Sequence, residues 1–143
     1  MKETIPYGYL MDRAVKAERL DLNQRFKKNG IDLTSDQWNI LRLLHESKDG
    51  LSQNELAIRS FKDAPTISRI IDLICKKGFA SRLPFDGDRR RHQVVITKHG
   101  TETVLSAIPE VEKNRSLGWV GFEEIDLDKF ITIVKKVYSN YNL

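Results

Sequence analysis

At 143 residues and 16.6 kDa the chain has the length of one domain, enough for a sizeable core and too little for two independent ones. With 40% hydrophobic and 31% charged residues it has an ordinary globular composition, which excludes fibrous, low-complexity and disordered classes. The single cysteine, Cys75, excludes an intrachain disulfide and fits a reducing cytoplasm; no apolar run or charged-then-apolar leading segment indicates membrane spanning or export.

The chain up to about Asn29 is expected to form a first helix ended by Gly30. Leu10, Ala14 and Ala17 make one stripe on it, and Met11, Val15, Leu22 and Phe26 an adjoining one. An apolar arc that wide predicts two packing partners, the chain's own domain and a second subunit. Thr34-Ser35-Asp36-Gln37 is a capping box, stapled by Leu33 and Trp38, which opens a second helix carrying Trp38, Leu41, Leu44 and His45 inward. Asp49-Gly50 closes it.

Ser52-Gln53-Asn54-Glu55 is a second capping box, with Leu51 and Leu56 as its staple. After a short turn, Asp63 is the expected N-cap of a helix that tolerates Pro65 in its first turn and stops at Gly78. Ile67, Ile70, Ile71 and Ile74 form its buried stripe, while Thr66, Ser68, Arg69 and Lys76 show on the other face. Short hydroxyls and a guanidinium on the first turns suit a helix laid in a major groove. A merely solvated face has the same composition.

Next, Phe79–Leu83 and Gln93–Thr97 are β-prone runs around a Pro/Asp/Gly-rich loop, a predicted hairpin. Its tip carries Asp88, Arg89, Arg90 and Arg91, three adjacent guanidiniums able to meet phosphates and a narrow minor groove, with Asp88 placed to orient Arg90. Helix, turn, helix and hairpin together predict a winged helix-turn-helix.

Charge is distributed accordingly. Residues 62–98 hold nine Lys/Arg against four Asp, a net +5, while the remainder carries 15 basic against 16 acidic residues. We therefore expect Pro65, Thr66, Ser68 and Arg69 to meet bases, and Lys62, Lys76, Arg89, Arg90 and Arg91 to meet backbone and minor groove. Cys75, near the C-terminal end of the reading helix, sits where the helix dipole disfavours a thiolate, although Lys76 and Lys77 act oppositely. A structural thiol fits that place better than a peroxide sensor.

Thr97 is a natural N-cap for a helix to roughly Leu117, with Val104, Leu105, Ile108 and Val111 apolar and Pro109 expected to kink it or end it early. Gly118-Trp119-Val120-Gly121 predicts a turn. A last helix to Asn140 follows, with Leu127, Phe130, Val134, Val137 and Tyr141 on one seam, beside Ile131 and Tyr138. That seam is expected to pack in a two-fold dimer, the alternative being an intrachain bundle.

The segment Leu33-Thr34-x-x-Gln37-Trp38-x-Ile40-Leu41-x-x-Leu44, followed by Thr66-Ile67-Ser68-Arg69-Ile70-Ile71-Asp72, Lys76-Lys77-Gly78-Phe79 and Asp88-Arg89-Arg90 before Ile96-Thr97-x-x-Gly100, resembles the multiple-antibiotic-resistance regulator (MarR) family. The resemblance runs over most of the chain and implies a mainly α fold with a small β-hairpin. The winged core would span about 33–100, and N- and C-terminal helices, about 5–29 and 101–142, would form a dimerisation region of a single domain, 1–143. It further implies a cytoplasmic homodimer on a pseudo-palindromic operator of double-stranded DNA, acting as a repressor that a small phenolic or other aromatic effector releases. Family effectors sit near the junction of the first, second and fifth helices, for which Tyr7, Tyr9, Arg13, Trp38 and His45 are the candidates by position and residue type. Trp38 as core and His45 as a half-buried polar residue are the plainer alternatives.

Thiol-sensing members carry their cysteine near the start of the first helix, where this chain has none. No nucleophile elbow, metal-ligand spacing among His45, His92 and His99, or glycine-rich phosphate cradle points to an enzyme or to a cofactor. The stronger rival is a winged helix serving as an architectural or protein-interaction module with little sequence preference.

Overall fold

The computed structural model describes residues 6–85 and 88–141, with side chains given outside 85–91. Among the described residues six helices and three strands follow in order: α1 (Tyr7–Lys28), α2 (Ser35–Glu46), β1 (Leu51–Ser52), α3 (Gln53–Ser60), α4 (Ala64–Lys76), β2 (Ala80–Phe85), β3 (Asp88–Ile96), α5 (Lys98–Gly118) and α6 (Glu124–Asn140). The fold is thus mainly α with a small antiparallel sheet, a winged helix-turn-helix flanked by terminal helices.

Four helix starts are fixed by side-chain caps. The Gln37 amide donates to Thr34 Oγ1 at 3.2 Å, Glu55 to Ser52 Oγ at 3.1 Å, Thr66 to Asp63 Oδ1 at 2.8 Å and Gly100 to Thr97 Oγ1 at 3.0 Å. Each such cap contributes about 1 kcal/mol and, more to the point, sets the residue at which a helix begins. Both capping boxes close reciprocally through Gln37 and Glu55.

The wing has three strands in the order β1-β3-β2, all antiparallel, where sequence predicted two. Leu51 pairs with Val94 on one side of β3 and Arg82 pairs with Val94 on the other. Two residues of strand are too short for a periodic signal, and the staple role of Leu51 masked its pairing. The chain enters β1 through Gly50 at φ +83, where an added Cβ would stand 2.5 Å from the Val94 carbonyl oxygen. Gly100 is likewise obligatory, because a Cβ there would collide with the Phe79 carbonyl.

One core joins all of this. Phe26 of α1, Ile40, Leu41 and Leu44 of α2, Leu56 of α3, Ile67, Ile71 and Ile74 of α4, Val94 of β3 and Val104 of α5 are fully buried. The predicted isoleucine stripe of α4 is buried throughout, each side chain contributing roughly 1.5–3 kcal/mol by leaving water.

One expectation is corrected, and the reading of α5 is refined. His45 faces solvent rather than the core, since α2 turns its buried side through Ile40, Leu41 and Leu44. Leu105 is exposed; α5 buries Val104, Ala107, Glu110 and Asn114, so half of its inward stripe is polar. The helix also runs on through Pro109 to Gly118 and does not end early. The inward polar residues find partners on α1: Asn114 Nδ2 donates to the Glu18 carbonyl oxygen at 3.0 Å and to Asp21 Oδ2 at 2.8 Å, and Asp21 also receives Arg25 Nε at 2.6 Å.

The terminal helices leave much apolar surface open. Helix α6 buries no residue within the chain, so the intrachain-bundle alternative is not realised. It touches the rest through edge-on aromatic contacts, Trp119–Phe130 at 5.3 Å and Phe61–Tyr138 at 5.5 Å, and a 2.8 Å hydrogen bond between the hydroxyls of Tyr7 and Tyr141. On α1, Tyr7, Leu10, Met11 and Val15 stay exposed while Leu22 and Phe26 enter the core.

Candidate nucleic-acid interface

The turn between α3 and α4 is made by Phe61, which ends α3 in the left-handed region at φ 55. This reversal brings Asp63 onto the amide of Thr66, so α4 starts with its backbone donors directed outward and its buried isoleucines against the core. Hydrogen bonds from Thr66 hold the Asp63 carboxyl below the usual carboxylate range, so the cap is ionised at neutral pH.

On the outer face of α4, Pro65, Arg69 and Lys76 are exposed and Thr66 and Ser68 half-buried. Arg69 Nη2 stands 3.5 Å from Thr66 Oγ1, a long contact that leaves the guanidinium available for another acceptor. Asp88, Arg89, Arg90 and Arg91 belong to β3, and their side chains lie outside the described residues.

Lys62 departs from its expected place. Its Nζ pairs with Asp36 Oδ1 of α2 at 3.0 Å, and its side chain is only 15% exposed, so it ties the reading helix's entry to α2 instead of projecting from this face. Two further tethers had no sequence signal. Lys77 Nζ donates to the Asp32 carbonyl oxygen at 3.0 Å and to Gln37 Oε1 at 2.9 Å, fastening the end of α4 to the start of α2. Arg82 Nη2 of β2 meets Asp72 Oδ1 of α4 at 2.5 Å. The residues of these pairs lie far apart in sequence or in different kinds of element, and no periodicity reports such contacts.

The five candidate effector residues do not converge within the chain. Trp38 lines a cavity of about 270 Å³ bounded by α1, α2 and α5, together with Glu18, Arg19, Leu22, Arg42, Lys62 and others. Tyr7, Tyr9, Arg13 and His45 are exposed and do not line it. Burial raises the Glu18 carboxyl above its ordinary range, and the buried Trp38 Nε1 has no hydrogen-bond partner among the described residues. Cys75 is half-buried on α4, and burial pushes its thiol up.

Comparison with known proteins agrees with this geometry. Residues 31–91, from the α1–α2 connection into β3, match the MarR family. Among solved structures, Staphylococcus aureus MepR in a DNA complex superposes with a TM-score of 0.86 at 21% identity, over 95% of this chain and 98% of that one. A cysteine-to-serine mutant of MarR from Escherichia coli, complexed with operator DNA, gives 0.84 at 22% identity, over 94% and 95%. CouR from Rhodococcus jostii RHA1, bound to p-coumaroyl-CoA, gives 0.81 at 19% identity, over 94% and 92%. The match spans α2, the helix-turn-helix and the first part of the wing, so this part of the chain is similar to the MarR family, and the solved structures share its winged-helix fold.

Proposed function

We propose that the chain is a DNA-binding transcription regulator that acts as a homodimer on a pseudo-palindromic operator, most simply as a ligand-released repressor in the cytoplasm. A fold alone does not carry a function, so the reading rests on the site. Its single strongest support is the outer face of α4. Pro65, Thr66, Ser68 and Arg69 on the first turns and Lys76 on the last are presented outward by an ionised cap and a fully buried apolar stripe. Such a helix can enter a major groove about 12 Å wide with its N-terminal side chains at the base edges. The wing, with Asp88, Arg89, Arg90 and Arg91, supplies the minor-groove arm of this reading, and Lys62 acts through α2 as a tether. DNA in the MepR and E. coli MarR complexes supports the same partner for this chain.

The homodimer answers the exposed apolar faces of α1 and α6, which would otherwise be left to water. The cavity beside Trp38 is the place for a small aromatic effector in this reading. At about 270 Å³ it suits a single-ring compound more than a large one. Lys62, in its wall, pairs with Asp36 and immediately precedes the Asp63 cap, so an occupant that moved Asp36 would act on the reading helix.

The experiment is selection of duplexes from a random library by the purified protein. Affinities for the selected and a mixed-sequence duplex are then measured across a salt series, with molar mass by light scattering. A regulator of this kind is a dimer and keeps a selected-to-mixed ratio of about 10³ or more. An architectural module instead loses nearly all affinity for both duplexes as salt rises, and a monomer in complex with duplex contradicts the dimeric part.

A further inference from the structure

The reading helix and the wing engage a duplex through different grooves, so their mutual angle matters as much as either surface. Packing of β2 against α4 sets it in part, and among the described residues one polar contact spans the two elements. On β2, Ala80 and Arg82 alternate onto one side of the strand, and Ala80 is buried. Arg82 is anchored through its pairing with Val94, which is itself buried and also paired to Leu51. From that fixed base its guanidinium reaches back to Asp72, with Nη2 and Oδ1 2.5 Å apart and the two side chains 32% and 61% exposed.

Asp72 is the one acidic residue of α4, and it stands three residues after Arg69 and four before Lys76, on the face proposed to meet DNA. An uncompensated carboxylate there would face phosphates. A salt bridge this exposed adds little to folding stability, so its value to the fold does not account for it. We propose that Arg82 and Asp72 are a positioning pair for DNA recognition: together they set the angle of the wing against the reading helix, and Arg82 offsets the one acidic side chain within α4. Arginine suits the task because its planar fork can hold a carboxylate oxygen with one nitrogen and keep other donors for a phosphate. The inference rests on the DNA-binding reading given above.

The sign of one substitution separates positioning from simple charge. Asp72→Asn removes a negative charge beside the duplex, so electrostatics alone predicts tighter binding to every sequence. A positioning role predicts the opposite for the duplex selected by the wild type: about tenfold weaker binding, equivalent to roughly 1.4 kcal/mol, with affinity for mixed-sequence duplex unchanged or raised. Arg82→Gln should lower the same ratio, and the double variant should be no worse than the poorer single, because the two changes break one contact. Thermal melting of each variant should stay within a few degrees of wild type. An Asp72→Asn protein that keeps or raises the selected-to-mixed ratio overturns the proposal, as does a double variant whose loss is the product of the singles. If the wild type enriches no sequence at all, the DNA-binding reading has failed first and this inference falls with it; enrichment with an unmoved ratio in the variants sinks the inference alone.

Discussion

Asn114 offers the sharpest test of how the terminal helices α1 and α5 are held to one another. It is buried on α5, and its amide donates to the Glu18 carbonyl oxygen at 3.0 Å and to the Asp21 carboxylate at 2.8 Å, both on α1. Replacement by alanine removes a hydrogen bond to a charged acceptor, worth about 1.5–3 kcal/mol, and one to a neutral acceptor, worth about 0.5–1.5 kcal/mol. Neither acceptor is orphaned, because the carbonyl lies inside α1 and Asp21 keeps Arg25 at 2.6 Å. The expected cost is therefore about 2–4 kcal/mol, within the roughly 5–15 kcal/mol of a small domain, so the variant still folds. Urea unfolding followed by circular dichroism at matched protein concentration should move the midpoint down by about 1–2 M for a slope near 2 kcal/mol per M. A change below about 0.5 kcal/mol would refute the reasoning, since it would mean that water replaces both bonds.

Arg90→Ala should weaken binding to the selected duplex strongly while leaving the circular dichroism spectrum intact; unchanged affinity in a mobility-shift assay removes Arg90 from the interface. Stability should fall as pH drops through and below the ordinary aspartate value of about 4. Asp63 and Asp21 are both held below that value in the folded chain, by Thr66 and by Asn114 with Arg25, so the stability they confer is present above it and lost as they protonate. Asp63→Asn, which keeps a cap but cannot titrate, should show a shallower fall of Tm between pH 5 and 2; an identical slope contradicts the assignment. Because burial raises the Cys75 thiol, mild peroxide should leave DNA binding intact in wild type and in Cys75→Ser alike, and a loss confined to the wild type would make Cys75 a sensor.

What the sequence made legible were features with a local signature. Thr34, Ser52, Asp63 and Thr97 each stand three residues before the amide they cap, and the α4 isoleucines repeat at helical spacing, so helix starts and the reading helix's buried side could be placed directly. Features made by distant residues were not legible. β1 is too short to alternate, and Lys62–Asp36, Lys77–Asp32 and Arg82–Asp72 join elements brought together only by packing. Hydrophobicity also misjudged α5, where Glu110 and Asn114 lie inward because α1 supplies them with partners. His45 was expected inward together with Trp38, Leu41 and Leu44, but the core-facing arc of α2 ends at Leu44. The proposed effector residues from the start of α1 share an end of the molecule with the α6 terminus, through Tyr7 and Tyr141, and not with the Trp38 cavity.

The central claim is that two copies of α4 read one duplex at a spacing fixed by the dimer, and a methylation-protection footprint on the selected duplex tests it most directly. Two protected major-groove patches related by two-fold symmetry, centred about 10–10.5 base pairs apart or a multiple of that, are predicted. A single protected patch, or protection spread evenly along the duplex, would contradict it.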